Sequence, residues 1–429
     1  MPGAHTFYDG STTLEPFATY CGVSVDKMNF AICMFSSLPL AYVYKRFMAP
    51  CTVSRQTRAL FPLLIGIVFY YFCFGRASKH LLANSLLNYG IMCFSPTKYV
   101  HKLVFGFSMM YLLFIHFYRW LILTKYCLDI TGPMMVAVQK ITTLAFSLHD
   151  GKVKKKEELT EIQRKEAVAE IPSLLDYMSY VFNFQTALTG PVNFYSDYVA
   201  FLDGVHVVPN KDGEPIPYVI CPDLGLVVMM KMEKQNGIFA QMYDHTKLRS
   251  LKLLGDRVIV QKGCYFSNYL LISRRLEYLV LNYMVLWSVL QLRMHEWMYW
   301  TLKIMAQSFK ETLDGWNIQT GGWLRRVAYD RTPKKIRTFA TYMLSALWHG
   351  ISVGYYITFS TGAIITLTGA TFRRCMRHRF LECPKQKAAY DVMSFVATKV
   401  ALAYTTYAFV VMNLDPALFV YKQQFTLTD

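Results

Sequence analysis

Leu344-Ser345-Ala346-Leu347-Trp348-His349-Gly350 lies in a run that carries no acid, lysine or arginine from Thr338 to Phe372. Six cations precede the run (Arg325, Arg326, Arg331, Lys334, Lys335 and Arg337), opposed only by Asp330. Arg373, Arg374, Arg377 and Arg379 follow it. Cationic clusters of this kind mark the cytosolic ends of membrane segments, so residues 338–372 are expected to leave the cytosol and return as a hairpin. His349 then stands twelve positions from Arg337, about 18 Å along a helix, deep in the membrane toward its far side. A histidine at that depth is costly unless it pairs or works, which makes it a functional candidate by default.

Working outward, the same reading extends over the chain. Of 429 residues, 54% are hydrophobic and 16% aromatic, and the mean hydropathy is +0.24. Uncharged runs at Asn29–Tyr44, Ala59–Gly75 and Leu103–Tyr118 approach the length needed for a ~30 Å hydrocarbon layer. Short basic connections separate the first helices: Lys45-Arg46, Arg76 with Lys79, and Lys98 with Lys102. A further helix is expected over about Thr131–Leu148, and a last one near Val392–Met412. The expected fold is all-α: a polytopic transmembrane helical bundle enclosing a reaction chamber.

Five segments are expected. Residues 1–28 form a non-membrane N-terminal segment without the basic start and cleavage site of a signal peptide. Residues 29–204 hold the N-terminal membrane helices. Within them, a charged loop at 149–172, with Lys154-Lys155-Lys156 and five glutamates after Lys152, reads as an exposed cytosolic segment. Residues 173–199 are apolar but broken by Gly190-Pro191 and carry Asn183, a pattern suited to an irregular element lining a cavity. Residues 205–300 are partly polar, with a turn at Pro209–Gly213, a short strand at Arg257–Lys262 and a poor spanning segment at 265–293. Residues 301–415 carry the candidate catalytic helices and 416–429 a tail.

The net charge of +17 fits positive-inside loops better than a nucleic-acid surface. The ten cysteines are scattered, with no CxxC pair to suggest a metal site or a disulfide framework.

A neutral imidazole is a competent general base, so His349 suits proton removal from a hydroxyl. The bland alternative is a packing histidine bonded to a backbone carbonyl. Upstream lies Asp314-Gly315-Trp316-Asn317-Ile318-Gln319-Thr320, followed by Trp323-Leu324-Arg325-Arg326. The Asn317 amide does not titrate; it can hold a reacting carbonyl or steady an oxyanion, or it can simply cap a helix. Trp316 and Trp348 suit contact with substrate or anchoring at the membrane interface.

The run Trp316-Asn317-Ile318-Gln319-Thr320, a basic linker, then Leu344–Gly350 together resemble the membrane-bound O-acyltransferase family, and more narrowly its lysophospholipid acyltransferase branch. The likeness includes Asp129–Met134, Gln139–Phe146, His149-Asp150-Gly151, Tyr180–Phe184, Gly190-Pro191, Asp197-Tyr198 and Gly204. Downstream it takes in Tyr355-Tyr356, Thr361-Gly362 and Tyr404-Thr405-Thr406, covering residues 28–204 and 303–415. The resemblance implies a multi-pass protein of the endoplasmic reticulum membrane that moves a fatty acyl group from acyl-CoA to the free hydroxyl of a lysophospholipid. It implies His349 as base and Asn317 as its polar partner, with Trp316, Gln319, Thr320, Trp348 and Asn183 near substrate. Arg325 and Arg326 would form a basic rim for the phosphates of coenzyme A. Acyl-CoA is then a co-substrate, with no metal or other cofactor expected, and the partners are the two substrates and the bilayer. Between Gly204 and Lys303 this chain departs from its relatives, which carry more apolar helices and a glycine-rich aromatic stretch there.

Three alternatives stay open at this level. A protein or sterol acceptor would keep the family and change the substrate. A transporter could use buried His and Lys as proton relays, though the chain shows no internal repeat. A non-catalytic scaffold would retain the motifs without the reaction.

Overall fold

The computed structural model describes residues 8–122, 128–154, 156–186, 188, 190, 192–205, 306–316 and 318–411. The turn, strand and poor span expected between 205 and 300, the C-terminal tail and Asn317 lie outside the described residues, as does the side chain of Trp316. All regular elements among the described residues are helices.

The N-terminal part runs α1 (Glu15–Tyr20), α2 (Val25–Phe47), α3 (Arg55–Phe74), α4 (Ser78–Phe94), α5 (Val100–Ile122) and α6 (Thr131–Val153). Three short helices follow: α7 (Glu161–Glu166), α8 (Leu174–Phe182) and α9 (Tyr195–Leu202). The C-terminal part holds α10 (Phe309–Trp316), α11 (Ile318–Val327), α12 (Arg337–His349), α13 (Val353–Met376) and α14 (Pro384–Val411). Among the described residues, three helical stretches are long and apolar enough to cross a membrane: Arg55–Phe94, Val100–Ile122 and Pro384–Val410.

The helix starts follow local chemistry. Ser54 and Ser173 cap α3 and α8, each hydroxyl accepting a backbone N–H three residues on, at 3.2 Å in both cases. Thr160 and Gln163 form a reciprocal capping box on α7. Pro384 stands at the first position of α14, where its missing N–H costs nothing. That polar first turn has no apolar run to announce it, so α14 begins eight residues before the expected Val392.

α6 is the axis of the bundle. Every residue from Ala137 to Asp150 is buried, polar ones included. A helix covered all round belongs in a core. It pairs extensively with α5, and α12, α13 and α14 pack in sequence as an antiparallel layer. α8 packs on α3, where Pro62 O accepts the Phe184 N–H at 3.1 Å. Gly66 lies where Phe182 comes against α3 and leaves no room for a side chain.

The contacts sort the basic segments by end. Tyr44 on α2 donates to Arg58 O at the start of α3, and Arg55 pairs with Asp176 at the start of α8. His101 at the start of α5 lies against His149 near the end of α6, ring centroids 3.9 Å apart. Arg331 pairs with Asp150 at 2.6 Å. Lys45, Lys98, Lys152 and the 325–337 cluster therefore gather at one end, the grouping that the positive-inside rule expects. Arg76 and Lys79 lie at the other end, because α3 has crossed by then.

The charged loop is less solvated than its composition suggests. The Val168 N–H bonds Ser147 O at 3.0 Å, and Glu166 is buried against Arg326. A buried arginine needs a carboxylate, and this loop supplies one.

Candidate active site

α12 runs from the basic end into the bundle and stops at His349. The next residue, Gly350, has φ +138° and ψ −166°, a conformation open in practice only to glycine. The chain turns there and re-enters as α13, bringing Tyr355 and Phe359 back beside the imidazole. Ring centroids lie 5.7 Å and 4.9 Å from His349. Phe409, near the end of α14, adds a third ring at 5.4 Å. The half-buried imidazole is thus flanked by three aromatic rings from two helices, α13 and α14.

One bond sets the chemistry of His349. Its Nδ1 lies 2.7 Å from Ser345 O. A carbonyl only accepts, so Nδ1 carries the proton and the lone pair sits on Nε2. That is the tautomer a general base at Nε2 requires.

The two sequence motifs meet through α6. Gln139 donates to Thr320 Oγ1 at 3.0 Å, and Trp323 Nε1 donates to Thr142 Oγ1 at 2.9 Å. Trp348 Nε1 donates to Met135 O at 3.1 Å. Trp323 and Trp348 then meet at a tilt, with centroids 5.7 Å apart. Met135 precedes His149 by fourteen positions, so the site stands about 21 Å from the basic end.

The remaining candidates are dispersed. Gln319 is half-buried. Arg325 is exposed and faces Asp330 at 3.5 Å. Arg326 turns inward, donates to Ser147 Oγ at 2.8 Å, pairs with Glu166 and covers the Phe194 ring at 4.8 Å. Burial lowers its pKa to about 10, which leaves it charged at neutral pH. Asn183 is bound up in the end of α8, donating to Tyr180 O at 2.7 Å and accepting from Thr186 Oγ1 at 2.6 Å. Lys140 shares those partners: its ammonium donates to Tyr180 O and Thr186 Oγ1.

Three residues near His349, namely Phe359, Phe409 and His116, had no role in the sequence reading. Phe409 carried no signal of its own. His116, on α5, contacts Trp348 O at 3.3 Å. The rule that singled out His349 applies equally to a histidine inside the Leu103–Tyr118 run.

Residues 115–409 match the membrane-bound O-acyltransferase family. The chain belongs to that family. It is 33% identical over 96% of its length to lysophospholipid acyltransferase 6 of Drosophila melanogaster, and spans 61% of that protein. It is 33% identical over 97% of its length to membrane-bound glycerophospholipid O-acyltransferase 1 of Mus musculus, covering 90% of it. A lysophospholipid acyltransferase of Schizosaccharomyces pombe is 26% identical over 95% of the chain. The mouse alignment runs to 458 positions against 429 residues here, so that relative carries residues this O-acyltransferase lacks.

Proposed function

We propose that this membrane-bound O-acyltransferase moves a fatty acyl group from acyl-CoA to the free glycerol hydroxyl of a lysophospholipid, with His349 as general base. The observation that carries the reading is the His349 Nδ1–Ser345 O bond at 2.7 Å, which leaves Nε2 as the proton acceptor beside the Phe359 and Phe409 rings. Nε2 takes the hydroxyl proton as the oxygen attacks the thioester carbonyl. The tetrahedral intermediate expels the coenzyme A thiolate, and the imidazolium returns its proton to the sulfur. Asn317 donates an amide hydrogen bond to the carbonyl oxygen as negative charge develops there. Bringing two bound substrates together in a dry chamber supplies much of the acceleration. The relatives' names supply the acceptor class, and the aromatic rings suit an acyl chain. The endoplasmic reticulum membrane is the proposed location.

Purified protein in liposomes, given oleoyl- or arachidonoyl-CoA and a panel of lysophospholipids, tests the proposal. His349→Ala is expected to lower kcat/KM by roughly 10²–10⁴, the range for a lost general base. Asn317→Ala is expected to cost about 10²–10³. Transfer that survives in folded His349→Ala protein would remove the base assignment. No transfer by well-folded wild type to any acceptor would remove the reaction.

A further inference from the structure

The last four carbonyls of a helix have no intrahelical partner, and inside a membrane bundle bulk water does not supply one. α12 ends in that setting, and its last turn is held by a set of bonds centred on the base. Ala346 O accepts the Gly350 N–H at 3.2 Å. Ser345 O accepts from the His349 imidazole at 2.7 Å. Trp348 O, the carbonyl of the peptide leading into His349, lies 3.3 Å from Nε2 of His116.

His116 comes from α5, 232 positions away in sequence, and is only 6% exposed. Since the carbonyl accepts, His116 Nε2 carries the proton, and its Nδ1 is the bare nitrogen. That nitrogen borders the turn: a methyl carbon added at Gly350 would stand 3.4 Å from His116 Nδ1 and 3.3 Å from the Tyr355 ring. The peptide units on either side of the base are thus contacted by His116 from outside the α12–α13 hairpin and by Tyr355 from within it. His116 holds the carbonyl before it, while His116 and Tyr355 bracket the glycine after it. One turn further along α5, Arg119 pairs with Asp129 at 2.7 Å, which ties this end of α5 to the start of α6.

We propose that His116 is a positioning residue of the transfer reaction: its Nε2–H bond to the Trp348 carbonyl sets the last turn of α12 and so aims Nε2 of His349 at the acceptor hydroxyl. The proposal rests on the reading of His349 as the base. His116 itself exchanges no proton with substrate. Its effect falls on kcat, because a base displaced by about 1 Å loses on the order of 10² in rate while the substrates still bind.

The test compares His349→Ala, His116→Phe and His116→Gln in liposomes, with kcat, KM for each substrate and Tm measured for all. Phenylalanine keeps a flat ring and removes the donor; glutamine keeps an N–H donor. His116→Phe is expected to lower kcat about 30- to 100-fold, with both KM values within about twofold of wild type. His116→Gln is expected to recover most of that loss. A folded His116→Phe enzyme with wild-type kcat would overturn the proposal, as would a Gln variant no better than Phe. Were Phe to prevent folding, Gln alone decides: kcat within about tenfold of wild type supports the role, and inactivity in folded protein overturns it. Loss of activity in His349→Ala with no effect at His116 removes only the positioning role. Activity retained in His349→Ala removes the base assignment and the positioning role with it.

Discussion

At the scale of single residues, the site depends on one imidazole tautomer and one glycine. His349 is both the last residue of α12 and a donor to its own preceding turn, so the ring cannot rotate without losing its bond to Ser345 O. Gly350 then takes the chain through φ +138°. An L side chain there is strained by roughly 1–3 kcal/mol, and its Cβ would press on Tyr355 and His116. Gly350→Ala is therefore expected to lower kcat by ten- to a hundredfold, about what such strain would cost if expressed in the active geometry. Steady-state kinetics beside a thermal-shift measurement would check it. An alanine enzyme with wild-type kcat would show that the turn is not part of the machinery.

At the scale of elements, α11 carries the first motif and is held to α6 by hydrogen bonds and to α7 by a buried ion pair. Arg326 and Glu166 have side chains 6% and 7% exposed. Removing one partner of such a pair leaves a buried charge uncompensated, at a cost of about 3–5 kcal/mol. Glu166→Ala should lower Tm markedly and loosen α11, although residue 166 is remote from the reacting atoms. Glu166→Asp should behave better than Glu166→Ala if charge is what matters. Equal Tm for wild type and Glu166→Ala would show that the pair contributes nothing net. This contact also explains why a charge-rich loop is partly buried. Charge density predicts solvent for a loop taken alone, but an inward-facing arginine on a distant helix recruits one of its carboxylates.

At the scale of the whole molecule, the basic loops gather at one end and the aromatic-flanked base lies about 21 Å from it. Cys51, after α2, and Cys375, at the end of α13, are both exposed at the basic end. A membrane-impermeant maleimide added to sealed vesicles should label both from the same face, and labelling from opposite faces would overturn the arrangement. Much of this was legible in one dimension, because membrane insertion is governed by composition. The uncharged runs at Ala59–Gly75 and Leu103–Tyr118 fall within helices long and apolar enough to cross a membrane, the run at Asn29–Tyr44 does not, and the cationic clusters gather at one end of the bundle. The resemblance of the Trp316–Thr320 and Leu344–Gly350 motifs pointed to the family. What only the tertiary structure decided is which residues surround the base. His116 on α5, Tyr355 and Phe359 on α13 and Phe409 on α14 converge on His349 because helices pack side by side, and packing ignores sequence separation. The inward turn of Arg326 and the docking of Glu166 belong with them. Each depends on a partner from another element, from six positions away (Tyr355) to more than two hundred (His116), and no local pattern of residues encodes which element packs against which.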